Sequence, residues 1–63
     1  MEQMMFIVVH SNYDGTPVWV NVSQIIYFGV DHSGVPYIHF NDRYLETLEK
    51  PEEIEALIEQ ATS

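Results

Sequence analysis

Cysteine is absent from this 63-residue sequence, which excludes both a disulfide framework and a thiolate zinc site. Basic residues are nearly absent as well. Arg43 and Lys50 stand against ten Asp and Glu, for a formal net charge of -8. Coulomb repulsion therefore opposes approach to a phosphate backbone or an anionic bilayer, so direct nucleic-acid binding is not expected. No apolar run approaches the roughly 18 residues of a membrane-spanning helix. The opening Met1-Glu2-Gln3-Met4-Met5 also has no basic region of the kind that begins a secretory signal. A cytoplasmic chain without a membrane partner is expected.

Length is scarce too. The chain has room for one domain, residues 1–63, and a chain of this size hides only about 60% of its unfolded surface. Natural domains this small add disulfides, a metal or oligomerisation. Without cysteine, a homo-oligomer, most simply a homodimer, is the remaining easy staple.

Catalytic spacing is also missing. His10, His32 and His39 fall in separate segments, with no pair four apart on a helix to hold a metal. Asp14, Asp31 and Asp42 sit in turn-rich stretches, where Asp is an ordinary turn residue, and no calcium loop surrounds them. Ser11, Ser23 and Ser33 lack a nucleophile-elbow motif, and the isolated glycines form no phosphate-cradling loop. No catalytic residue, metal or cofactor is assigned, and the chain is expected not to be an enzyme.

What is present is an α+β pattern. Residues 4–10 (MMFIVVH) are apolar and β-branched and run into a turn at Asp14-Gly15, a strong hairpin signal. Val18, Val20 and Val22 then alternate with Trp19 and Asn21, which puts the valines on the core face. Residues 25–30 read as a third strand with Ile26, Phe28 and Val30 inward. Residues 31–36 follow as the connection expected to be most mobile.

Asn41-Asp42 reads as a two-residue hairpin turn. It pairs Ile38 with Leu45 and Phe40 with Arg43 on the core face, and His39 with Tyr44 and Tyr37 with Glu46 on the other. Pro51 opens a helix with Glu52 and Glu53 at its positive end and Ile54, Leu57, Ile58 and Ala61 on one stripe. Lys50 supplies no side-chain acceptor at the N-cap. The expected fold is a small antiparallel β-meander of four to five strands, with one C-terminal helix packed on one face.

That arrangement leaves Trp19, Tyr27, Tyr37, His39 and Tyr44 together on the opposite face. Exposed strands normally carry Thr, Lys and Glu there, and aromatic enrichment is a mark of interaction surfaces. Cross-strand packing of the rings, or a curl of the sheet that buries them, is the structural alternative. Glu46, Glu49, Glu52, Glu55 and Glu59 form an acidic patch that a solvated helix face also explains, and that suits a partner with a basic surface.

Tyr13-Asp14-Gly15, Val20-Asn21 followed by Ile25, the Asn41-Asp42 hairpin and Glu52-Glu53-Ile54 with Ile58 together resemble the small flagellar FlbD-like proteins, over about residues 13–60. The resemblance implies a small non-enzymatic accessory protein and carries over no site residue. The extra N-terminal strand, the longer loop at 31–36 and the more aromatic outer face depart from that family.

Three functional readings follow. The first is an interaction module, homo-oligomeric, that binds and modulates or inhibits a larger protein. The second is a small-ligand binder that stacks a nucleotide-like molecule on its rings, with His39 or Arg43 at the polar groups. The third is an acidic decoy that imitates nucleic acid, as a phage-encoded inhibitor would.

Overall fold

The β-branched run near the N-terminus forms β1 (Phe6–His10), and the chain returns antiparallel as β2 (Pro17–Asn21), in a computed structural model that describes residues 5–62. Met4, where the first strand was expected to begin, lies outside the described residues. Gly15 takes φ +76°, the left-handed conformation that this turn demands and that other residues adopt at a cost. The Asp14 carboxylate accepts from the Thr16 hydroxyl at 2.8 Å and from its backbone N–H at 3.1 Å. Those bonds hold the Asp14 carboxyl below the usual carboxylate range. Register pairs Ile7 with Val20 and Val9 with Val18 on the inner face, and Val8 with Trp19 on the outer one.

The expected single meander is broken after β2. The Asn21 side chain accepts from the Ser23 N–H at 3.0 Å and hydroxyl at 2.9 Å, starting a 3-10 turn at Val22–Gln24. That turn redirects the backbone instead of pairing the next strand with β2. The strands β3 (Tyr27–Val30), β4 (Pro36–His39) and β5 (Tyr44–Glu46) form a separate antiparallel sheet in that order. Among the described residues the result is an α+β fold of five strands in two sheets. A bridge between Ser11 and Thr47 joins them, flanked by backbone bonds from Asn12 N–H to Glu46 O and from Leu48 N–H to His10 O, each 2.9 Å.

The second hairpin has the expected register: Ile38 faces Leu45, His39 faces Tyr44, Tyr37 faces Glu46, and the Phe40 N–H donates to Arg43 O at 2.7 Å. The inward set proposed for residues 25–30 is only partly right. Phe28 packs inward opposite Ile38, but Ile26 and Val30 are 54% and 49% exposed. Ile25 packs against the core in place of Ile26, because it closes the 3-10 turn and strand alternation starts only at Tyr27. Val30 ends β3 opposite Pro36, at the margin of the sheet.

The loop after β3, expected to be mobile, is bonded to itself. Asp31 Oδ1 accepts from the Ser33 N–H at 2.8 Å and the Val35 N–H at 3.0 Å, and Gly34 supplies φ +87°. The Val35 bond is the main reason that the Asp31 carboxyl lies below its ordinary range.

Ile7, Val9, Val20, Ile38 and Ile54 form the buried core, with Val18, Ile25, Phe28, Phe40 and Leu45 around it. The helix α1 (Pro51–Thr62) closes it with the expected stripe: Ile54 is fully buried, and Leu57, Ile58 and Ala61 pack beside it. Burying a side chain the size of Ile54 contributes roughly 1.5–3 kcal/mol. The helix start is half of a capping box: the Glu53 carboxylate accepts from the Lys50 N–H at 2.8 Å, while Lys50 O accepts from the Ile54 N–H at 2.9 Å. Thr47, a buried polar residue, is satisfied by donating its hydroxyl to Glu49 O at 2.8 Å and its N–H to Pro36 O at 2.9 Å.

Candidate functional site

Strand alternation and register turn four rings to the outer face of the β3–β4–β5 sheet. His39 sits at the centre of three strands, opposite Tyr27 on one side and Tyr44 on the other. It stacks on Tyr27 with centroids 4.6 Å apart and planes 19° apart, and lies tilted against Tyr44 at 5.5 Å. Tyr37, two residues earlier on β4, reaches both tyrosines diagonally and edge-on: Tyr27 at 6.1 Å and 85°, Tyr44 at 5.9 Å and 67°. These offset and edge-to-face arrangements suit the ring quadrupoles, and pairs of this kind are worth about 0.5–1.5 kcal/mol beyond area burial.

Gly29 leaves the space over β3 to Tyr37. It stands opposite Tyr37 in the register, and the Tyr37 hydroxyl lies 3.9 Å from where a Cβ on Gly29 would be. A bulky residue on β3 at that point would compete with Tyr37 for the space over the strand. Even so, the cluster is open to solvent: Tyr27 is 51% and Tyr44 67% exposed. His39 Nδ1 is buried against its ring neighbours and, among the described residues, has no hydrogen-bond partner.

A hollow of about 350 Å³ opens beside these rings, lined by Tyr27, Tyr37 and Tyr44 together with Asp31, His32 and Glu46. Two carboxylates and three tyrosines thus share one cavity. In the sequence Asp31 and His32 read only as loop residues; in the structure the β3–β4 connection places them in the wall of this hollow. Glu46 was grouped with the acidic helix, yet its pairing with Tyr37 puts it on the aromatic face, a consequence already contained in the hairpin register.

Other expected members of the site are elsewhere. Trp19 does not join the tyrosines, because β2 belongs to the other sheet. It is 65% exposed and lines a separate hollow with Phe40, Asn41, Asp42 and Arg43. Among the described residues the Arg43 side chain makes only a long, exposed contact to its neighbour Asp42, Nε to Oδ1 at 3.6 Å.

Glu49 leaves the acidic patch as well. Its carboxylate accepts from the His10 backbone N–H at 2.8 Å and meets His10 Nδ1 at 2.7 Å, tying β1 to the segment before the helix. Burial pushes the Glu49 carboxyl up, but the bonds from the His10 ring and N–H outweigh it and hold the group below its ordinary range. Glu52, Glu55 and Glu59 remain exposed on α1, as expected of a solvated helix face.

Among the described residues no three His, Asp or Glu side chains converge as metal ligands, and no helix is long and apolar enough to cross a membrane. Comparisons with protein-family models, with curated proteins and with solved structures each return no match.

Proposed function

We propose that this chain is a non-enzymatic interaction module that presents the four-ring face of its three-stranded sheet to a larger protein partner and assembles with a second copy of itself. The observation that carries this reading is the contiguous Tyr27, Tyr37, His39 and Tyr44 cluster left open to solvent. Rings ordered by one another before binding lose little conformational freedom when a partner arrives, which is why aromatic residues so often anchor interfaces.

Self-association is supported by a second surface. Phe6, Val8 and Trp19 are all exposed on the β1–β2 sheet, an apolar group whose burial in a dimer would relieve a 63-residue chain of part of its stability deficit. The acidic helix face, with Glu52, Glu55 and Glu59, would steer a basic partner towards the domain more than it would deepen affinity.

A nucleotide-like ligand is less well supported. Asp31 and Glu46 line the hollow beside the rings, where they repel phosphate, and Arg43 lines the other hollow. The test is molar mass by light scattering after gel filtration, together with partner capture, for the parent, Trp19→Ala and Tyr44→Ala. Trp19→Ala should dissociate the oligomer and Tyr44→Ala should lose the partner. Capture of the same proteins by all three, at one molar mass, would refute the proposal.

A further inference from the structure

Building on the proposed interaction face, we infer that the hollow beside its rings receives a cationic side chain, Arg or Lys, from the protein partner. Three features of the cavity point there. Its walls are aromatic and steeply inclined: Tyr27 and Tyr44 stand at 85° and 67° to Tyr37, so the rings form angled walls and not a flat platform. A cation held over such rings is attracted by their quadrupoles.

Second, the polar lining is anionic. Asp31 and Glu46 are both in the wall, and neither Arg43 nor Lys50 is. Asp31 Oδ1 is committed to its own loop, and among the described residues Glu46 forms no ion pair. The chain leaves this negative charge for a cation from outside. Third, the net charge of -8 attracts basic partners at long range, so the local site and the overall field act in the same direction.

The occupant is a side chain and not a planar anion, because carboxylates beside the rings oppose a phosphate. It is not a plain apolar side chain either, because Asp31 and Glu46 would lose solvation without gaining a partner. His32 completes the rim as a further ring.

The experiment is an NMR titration of the intact chain at low salt and about pH 8, where an ordinary imidazole is neutral. The probes are N-acetyl-arginine methylamide and its neutral counterpart, N-acetyl-citrulline methylamide, with the lysine and norleucine analogues as a second pair. The arginine and lysine probes should shift the ring resonances of Tyr27, Tyr37 and Tyr44 saturably, and the neutral analogues should bind at least about fivefold more weakly. Glu46→Gln should weaken the cationic probes about threefold or more. Asp31→Asn keeps the acceptor oxygen that holds the loop and should act in the same direction.

Equal binding of charged and neutral probes, cationic binding unchanged in the Glu46→Gln and Asp31→Asn double variant, or shifts confined to Trp19 would each overturn the site. If the probes fail while Tyr44→Ala still loses the partner, the cation site is wrong and the interaction face stands. If Tyr44→Ala keeps the partner while the probes bind as described, the hollow binds cations but not the partner's side chain, and both the proposed face and this inference are overturned.

Discussion

Replacing Glu49 with Ala separates structure from surface charge most sharply. The Glu49 carboxylate is only 16% exposed and takes two hydrogen bonds from one residue, His10, across the junction between the sheets and the helix. The bond to the backbone N–H is the costly one to lose, since hydrogen bonds to charged groups contribute about 1.5–3 kcal/mol. The His10 side chain is 44% exposed, so its share is screened by water and is worth about 0–1 kcal/mol. Together these give a loss of about 2 kcal/mol, against a total stability of roughly 3–9 kcal/mol for a chain of this length. The melting temperature should fall by about 10 °C.

The loss should also depend on pH with a definite sign. A carboxyl whose folded pKa lies below its ordinary 4.5 stabilises the fold fully above that value. The contribution disappears as pH falls through the lowered folded pKa. Asp14 and Asp31 titrate in the parent and the variant alike, so they cancel in the difference. Urea unfolding of both proteins at neutral pH and at about pH 3 should show a gap that narrows in acid. A gap under about 0.5 kcal/mol at neutral pH, or one that is the same in acid, would refute the assignment of Glu49 as a structural clamp.

Ile38→Ala removes a fully buried side chain from β4 and should cost about 2–5 kcal/mol, enough to collapse the dispersion of an amide NMR spectrum in a domain this small. Two glycines should separate by backbone conformation. Gly15→Ala, at φ +76°, should cost about 1 kcal/mol, while Gly29→Ala should stay within about 0.5 kcal/mol, since its new methyl meets only the Tyr37 hydroxyl at ordinary contact distance. Lys50→Ser, which adds the missing N-cap acceptor to α1, should raise stability by about 0.5–1 kcal/mol in the same urea assay.

Much of the candidate site is legible in the sequence, and the reason is local. A two-residue turn at Asn41-Asp42 leaves one register that turns Ile38 and Leu45 inward, and that register determines which side Tyr37, His39, Tyr44 and Glu46 occupy. Glu46 looks part of the acidic helix along the sequence, but the strand register, acting across the chain, sets it on the aromatic face. Asp31 and His32 were not legible as site residues. Nothing near them in sequence says that a loop closed by Asp31 lines one hollow with Tyr27, Tyr37 and Tyr44.

The sequence by itself determined what depends on neighbours a few residues away: the α1 span and its buried stripe, the two hairpins, the valine face of β2, and the acidity that makes phosphate an unfavourable ligand. Tertiary structure decided the relations between those pieces. The 3-10 turn at Val22–Gln24 split one expected sheet into two and carried Trp19 away from the tyrosines. It also moved the start of alternation, leaving Ile26 exposed and Ile25 against the core, and the meeting of β1 with the segment after β5 turned Glu49 inward onto His10. The physical reason is one of range. Alternation and helical period define faces within an element, but which faces share a surface depends on contacts between residues far apart in the chain, and those contacts have no local signature.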